Sequence, residues 1–242
     1  MTASRTVVVV VGLVAIVVAI AVGGFVAYSQ VLRGDAAPAL TLPSAATGTA
    51  ASSSPAASFD GVVAGTWAVA SGSQAGYRVR EQLASLPAAS DAVGRTDKVT
   101  GSITVTSDAT ATTVTAGELT VDTTSITSDE SRRDNRMRTD GLQTDSFPTA
   151  TFKLTQPMTV PAAAVAGTAS DITLVGDLTI HGVTKSVQVP AKAQLANGQI
   201  QVAGSISVPL SDYGMTAPVF AGFIISVEDH GALEFSVVFD KS

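Results

Sequence analysis

The side chains that usually perform catalysis or bind metals are scarce in this chain. It contains no cysteine, which excludes zinc–thiolate sites, iron–sulfur clusters and thiol nucleophiles. Its two histidines, His181 and His230, are far apart, and only Glu228 and Asp229 stand beside one of them. A metal site needs several ligands at fixed spacing, and no G-x-S-x-G motif marks a serine nucleophile. The sequence therefore predicts no catalytic residue, no metal site and no enzyme.

Residues 128–142 interrupt a sequence that otherwise alternates between apolar and polar positions. They contain one β-branched residue, Thr139. Thr127 and Glu130 have the spacing of a capping box, and Gly141 is suited to end a helix. The sequence predicts one helix over this segment, with weaker signals for single helical turns at 81–86 and 161–165.

The predicted helix also carries the one basic cluster of a chain whose net charge is −6: Arg132, Arg133, Arg136 and Arg138. Neighbouring acidic residues favour a solvated helix face. The alternative is a cover over a barrel mouth, where arginine meets an anionic lipid head group such as a phosphate. The acidic balance of the whole chain excludes the basic footprint of a nucleic-acid-binding protein.

Period-two alternation, which is typical of half-buried strands, dominates the rest of the sequence. Asn197 and Gly198 separate two alternating runs and predict a tight hairpin. Strands of this number and spacing form either an antiparallel sandwich or a closed barrel. We predict eight to ten strands, centred near Trp67, Val79, Ile103, Leu119, Phe152, Leu174, Val189, Val202, Ile225 and Val237.

Three segments, in order, resemble the YceI-like family of polyisoprenoid-binding, lipocalin-like bacterial barrels. Residues 117–152 combine a strand, a Ser-Ile turn, an Arg-Asp helix and a proline before a strand phenylalanine. Residues 176–185 read GDLTIHGVTK, which is similar to the family's G-x-L-T-I-H-G-V-T hairpin. Residues 211–215 read SDYGM, similar to a late Asp-aromatic-Gly turn. The resemblance extends over most of the sequence from Trp67 to Phe239.

The resemblance implies an all-β fold, an antiparallel closed lipocalin-like barrel of about eight strands with one short helix. It also implies a long apolar guest, isoprenoid- or quinone-like, inside the barrel. An eight-stranded barrel is either filled by side chains or just roomy enough for one small ligand. The residues expected at the lumen or its mouth are Tyr77, Val79, Ile103, Leu119, Val121, Arg133, Arg136, Met137, Phe152, Phe220 and Phe223.

An uncharged run of twenty-three residues occupies positions 6–28. As a helix it would be about 34 Å long, enough to cross a bilayer core. A cleavable signal peptide is the alternative, although its apolar core is usually shorter, about 7–15 residues. We expect an uncleaved signal anchor, with residues 1–5 as a short cytoplasmic tail. A flexible Ala/Ser/Thr/Pro linker over 29–58 and the YceI-like barrel over 59–242 follow.

The sequence thus predicts a single-pass protein of the cell membrane with an extracytoplasmic barrel that binds or carries an apolar lipid. Its expected partners are that lipid and the membrane, with no nucleic acid and no resident cofactor. The alternative is a β-rich envelope protein with a packed interior that binds a protein partner through its outer surface. The oligomeric state stays open.

Overall fold

Alternating side chains form strands over most of the described chain. The computed structural model describes residues 36–43, 62–83, 89–216 and 224–242. Within these ranges the strands are β1 (Gly65–Val69), β2 (Gln74–Leu83), β3 (Ser90–Thr96), β4 (Val99–Ser107), β5 (Thr112–Asp122), β6 (Thr149–Leu154), β7 (Met158–Val160), β8 (Ser170–Ile180), β9 (Val183–Ala196), β10 (Gln199–Pro209), β11 (Ile224–Val227) and β12 (His230–Lys241). All ten predicted strands are present, and β3 and β7 are additional.

The N-terminal predictions fall on residues that the structure does not describe. The membrane helix at 6–28, the tail at 1–5 and most of the linker at 29–58 lie outside the described residues. Within the described ranges, no helix has both the length and the apolar character needed to cross a bilayer.

The strands close into one antiparallel barrel. Each strand in the order β1–β4–β5–β6–β8–β9–β10–β12 pairs with the next, and β12 returns to β1, with Phe239 opposite Val69. Closure removes the exposed sheet edges that would otherwise invite pairing with other chains. The prediction of an all-β, antiparallel, closed barrel of eight strands is confirmed for the described part of the chain.

Four of the eight positions around the barrel are occupied by two consecutive strands each. Both β1 and β2 pair with β12, while β3 pairs with β2 and β4 pairs with β1. In the same way, β6 and β7 both pair with β5, and β11 and β12 both pair with β2. The break after β1 contains Gly72 at φ +88°, a backbone conformation that other residues adopt at a cost. Such interruptions let a long strand bend around the barrel.

The turn between β9 and β10 has the predicted geometry. Asn197 and Gly198 have φ values of 54° and 75°, and positive φ at both central residues defines the turn that suits a twisted hairpin. The strongest local signal in the sequence is therefore confirmed.

The helical segment starts later than predicted. Helix α1 (Ser131–Arg136) is capped by the Glu130 carboxylate, which accepts a hydrogen bond from the Arg132 N–H at 3.0 Å. Thr127 instead forms an isolated antiparallel bridge with Arg95, so the predicted Thr127–Glu130 capping box is wrong. The helix continues as a wider π turn over Met137–Gly141.

The two weaker helical signals have different outcomes. The signal at 161–165 is confirmed, because α2 (Ala162–Val165) forms there after Pro161. The signal at 81–86 is wrong for residues 81–83, which continue β2.

Residues 38–43, named the strap here, lie against the outer wall of the barrel. The Leu40 N–H donates to the Glu234 carboxylate at 3.3 Å, and the Ser236 hydroxyl donates to the Thr41 carbonyl at 2.9 Å. Every one of these contacts uses the strap backbone, so they require an extended chain rather than particular side chains. This part of the predicted flexible linker therefore has defined contacts with β12.

Glu234 is the centre of the strap site and has charged partners of its own. Its carboxylate is 4% exposed and accepts hydrogen bonds from Arg78 at 2.6 Å and Arg95 at 3.1 Å. The Arg95 guanidinium also donates to the Pro38 carbonyl. The buried carboxylate is thus satisfied by two arginines and one backbone N–H, as a buried charge requires.

Removing the strap is expected to destabilise the barrel. A chain beginning at residue 36 should unfold cooperatively, whereas one beginning at residue 44 should lose about 1–3 kcal/mol, because buried Glu234 and Ser236 lose partners. Urea unfolding followed by circular dichroism measures the difference between these two matched truncations. Equal stability would show that the strap contacts contribute nothing.

Candidate functional site

Three apolar cavities follow one another along the barrel lumen. The far cavity, beside α2, has a volume of about 90 Å³. The lid cavity, beside α1, has a volume of about 80 Å³. The middle cavity lies between them and has a volume of about 140 Å³. The far and middle cavities share Leu119, Phe152, Leu174, Phe235 and Val237. The middle and lid cavities share Tyr77, Leu142, Ile180 and Leu233. Because neighbouring cavities share wall residues, the three form a continuous row along the lumen.

The far cavity is lined mainly by aliphatic and aromatic side chains. Val105, Val114 and Ile172 contribute from three different strands, and α2 adds Ala164 and Val165 at the end of the lumen. Beside it lies a core cluster around Trp67, whose indole N–H donates to the Val63 carbonyl at 2.9 Å. The far cavity therefore suits an apolar tail.

The middle cavity has the largest volume of the three and lies where the lumen wall includes small side chains. Ala75, Gly76 and Ala150 line it together with larger residues such as Phe152 and Phe235. Replacing small residues by larger ones here would remove space, since the interior of a small barrel is otherwise filled by side chains.

The lid cavity differs from the other two because charged side chains enter it from α1. Arg133 and Arg136 line it together with Met137, and Glu81 lines it from β2. The Arg133 guanidinium donates to the Glu81 carboxylate at 2.6 Å. The Arg133 side chain is 10% exposed and Glu81 is 3% exposed, so this ion pair joins the helical segment to the inner wall of the barrel.

Arg133 has further partners on its own segment. It donates to the Asp129 carboxylate at 2.6 Å and to the Ser128 hydroxyl at 3.2 Å. Burial works to lower the pKa of Arg133, but the hydrogen bond and charge of Glu81 outweigh it, and the pKa is raised. The guanidinium therefore stays charged, with two carboxylates in contact.

Tyr77 stands at the boundary between the middle and lid cavities. Its side chain is 7% exposed, and its hydroxyl has no hydrogen-bond partner among the described residues. Burial raises the pKa of Tyr77 above its ordinary value, although the nearby Arg133 charge works in the opposite direction. The hydroxyl is thus protonated at physiological pH and available as a donor.

The lumen residues predicted from the sequence lie on the cavity walls where the structure describes them. The far and middle cavities contain Ile103, Leu119, Val121 and Phe152, and the lid cavity contains Tyr77, Val79, Arg133, Arg136 and Met137. Phe220 and Phe223 lie outside the described residues. Whether these side chains touch a ligand stays a prediction.

Sequence reasoning missed Glu81 as a site residue, although a signal was present. Tyr77, Val79 and Glu81 alternate along β2 and therefore share one face of the strand. Since the first two were assigned to the lumen, the same periodicity places the Glu81 carboxylate there.

The two histidines have different surroundings, and the buried Nε2 atom of His181 has no hydrogen-bond partner among the described residues. The His181 ring lies 4.3 Å from the Phe147 ring, centroid to centroid, and its Nδ1 is 3.1 Å from the Tyr213 carbonyl oxygen. His230 is exposed, and its hydrogen bond with Asp229 raises its pKa. Among the described residues, no three His, Asp or Glu side chains are grouped in a way that could hold a metal ion.

Comparison with known proteins agrees with this architecture. The model of the YceI-like domain matches residues 67–239. A polyisoprenoid-binding domain from Saccharophagus degradans, described as implicated in plant cell wall breakdown, superposes with a TM-score of 0.57. It is 19% identical, and the match covers 74% of this chain and 99% of that one. Burkholderia cenocepacia BcnA is also 19% identical, with a TM-score of 0.50 over 69% of this chain and 95% of its own. No curated protein sequence matches the chain significantly.

Proposed function

Because the chain belongs to the YceI-like family, we propose that its barrel binds a long apolar lipid with an isoprenoid-type tail. The observation that carries the proposal is the row of three adjoining apolar cavities that follows the lumen from α2 to α1. Binding of this kind requires no chemical step, so the proposed role is that of a carrier or a binding protein rather than an enzyme.

The proposed tail class is taken from one structural relative, and the cavities give it physical support. The Saccharophagus domain is described as polyisoprenoid-binding, and 99% of that domain is covered by the match to this chain. At 19% identity that likeness establishes the fold alone. The apolar lining of the far and middle cavities gives the independent physical support, since such walls offer an isoprenoid tail contacts but no hydrogen bonds.

Affinity would come mainly from burial of the tail. Each Å² of apolar ligand surface removed from water contributes about 25 cal/mol. A pocket that is apolar and largely preformed keeps most of this gain, because few side chains must be ordered on binding.

The proposed location is the outer side of the cell membrane. The support is the uncharged run at residues 6–28, followed by a segment rich in small and polar residues. A single-pass anchor would hold the barrel next to the bilayer from which an apolar lipid is drawn. Protease digestion of intact cells tests this, because an extracytoplasmic barrel is accessible without lysis and a cytoplasmic one is not.

The cavities disfavour the alternative function, in which the interior is packed and the outer wall binds a protein. A packed interior would leave no row of voids, since protein cores normally contain few spaces larger than a water molecule.

Filling the lumen is expected to abolish lipid retention. Ala150 lines the middle cavity and Ala193 lines the far cavity, so Ala150→Phe and Ala193→Phe place a ring where the tail would lie. Native mass spectrometry of the full chain, released from detergent micelles, should show a bound lipid for the wild type and none for either variant.

The matched control for this experiment is Ala116→Phe, which adds the same ring at an exposed position of β5. It should retain the lipid at the wild-type level. Both lumen variants should still unfold cooperatively, with a loss of about 1–3 kcal/mol from overpacking. A wild-type chain that carries no lipid and takes up no added polyprenol would refute the proposal.

A further inference from the structure

Two buried hydrogen-bond donors next to the lid cavity have no acceptor. They are the Tyr77 hydroxyl and the Arg133 Nε–H, neither of which has a partner among the described residues. A buried donor left unpaired costs about 1–3 kcal/mol, so native proteins rarely keep one without a reason. Both residues line the same cavity at one end of the lumen.

The charge of Arg133 is already balanced inside the protein. Its two terminal nitrogens donate to Glu81, Asp129 and Ser128, and the Nε–H has no partner among the described residues. A phosphate would therefore approach a group that contains one guanidinium and two carboxylates.

The second arginine of the cavity wall does not reverse this balance. Arg136 pairs with Asp140 at 2.5 Å, and Asp134, which is 8% exposed, lies close enough to Tyr77 to influence its hydroxyl. Both guanidinium groups that line the lid cavity are thus already paired with carboxylates. Like charges held together without water are costly, whereas an uncharged oxygen carries no such penalty.

From this arrangement we propose that the lid cavity selects a lipid with an uncharged head group bearing an acceptor oxygen, such as an alcohol, ether or carbonyl, over a lipid phosphate. Tyr77 and the Nε–H of Arg133 donate hydrogen bonds to that oxygen, while the tail extends through the middle cavity towards α2. The proposal rests on the lipid-binding function and adds the class of head group. It differs from the sequence-based alternative in which the arginine cluster meets a lipid phosphate.

The test compares three probes that share a similar branched tail: geranylgeraniol, geranylgeranyl phosphate and the hydrocarbon phytane. Equilibrium retention of each radiolabelled probe is measured on the full chain in detergent micelles, against protein-free micelles. The wild type should hold the alcohol at least tenfold more tightly than the phosphate, which corresponds to about 1.4 kcal/mol.

Tyr77→Phe isolates the hydroxyl group. It should weaken retention of geranylgeraniol by about three- to tenfold, as expected for one hydrogen bond, and leave retention of phytane unchanged. The matched control is Tyr213→Phe, since the Tyr213 hydroxyl is also buried and unpaired but lines none of the three cavities. This variant should hold all three probes as the wild type does.

Three results would overturn the proposal. The first is a wild type that binds the phosphate as tightly as the alcohol. The second is a Tyr77→Phe variant that loses alcohol and phytane equally, which would assign Tyr77 a packing role. In both cases the lipid-binding function stands. The third is a wild type that retains none of the probes above the micelle background, and that result would remove the proposed function as well.

Discussion

Replacing Arg133 by leucine is expected to lower the free energy of unfolding by about 3–5 kcal/mol, because it leaves a buried carboxylate without its cationic partner. Glu81 is 3% exposed, and Arg133 is the one charged partner recorded for its carboxylate within the described part of the chain. Urea unfolding of the variant and the wild type, followed by circular dichroism, measures the loss.

The double variant Glu81→Leu/Arg133→Leu separates the ion pair from simple packing. It should recover most of the loss, since replacing both members of a buried pair by apolar groups is often nearly neutral. Lys192→Leu is the control, because it breaks the exposed pair between Lys192 and Asp171 and should cost no more than about 1 kcal/mol. If Arg133→Leu costs as little as this control, the pair does not hold the helical segment to the barrel.

Replacing Gly182 by valine is expected to destabilise the barrel by at least about 2 kcal/mol, since a left-handed backbone alone costs a β-branched residue about 1–2 kcal/mol. Gly182 has φ +74°, and a Cβ atom there would lie 2.7 Å from Cε1 of the Phe147 ring. That ring packs against His181, which has φ +51°. Backbone strain and steric overlap therefore act together at the hairpin between β8 and β9.

Gly72→Val provides the comparison that separates these two causes. Gly72 has φ +88°, but a Cβ atom there would have no neighbour within 4 Å. Thermal unfolding should show a smaller loss for Gly72→Val than for Gly182→Val, because only strain contributes at position 72. Equal losses would mean that the Phe147 contact has no part in the effect.

Alternation predicted most of the strands because it reflects local chemistry. Each of the ten predicted centres carries apolar side chains at every second position, and the lumen uses that periodicity directly. The strand β3 (Ser90–Thr96) was missed because its sequence, SDAVGRT, contains a glycine and few β-branched residues. Pairing with β2 stabilises the extended conformation that the residues of β3 do not favour by themselves. Strand formation often depends on such tertiary context.

Barrel closure did not follow from alternation. The same pattern fits a sandwich or a barrel, because both bury alternate positions. The pairing of β12 with β1 joins residues near opposite ends of the domain, such as Trp67 and Lys241, and no local signal specifies it. The resemblance to the YceI-like family carried that part of the prediction.

The polar end of the site was predicted only in part. The arginine cluster is visible in the sequence, but the contact of Arg133 with Glu81 joins residues 52 positions apart. The strap shows a similar limit, since its contacts use backbone groups that every residue carries. Composition therefore predicted a flexible linker there and gave no sign of contacts with the barrel.

The burial of Trp67 gives the protein a built-in optical reporter. It is the single tryptophan of the chain and is completely buried, so all indole emission arises from one known place. It packs with Val105, Val114 and Phe239, which also line the far cavity. Emission therefore senses the end of the lumen next to α2, and it distinguishes a guest whose tail reaches that depth from one that stops beneath the helical segment.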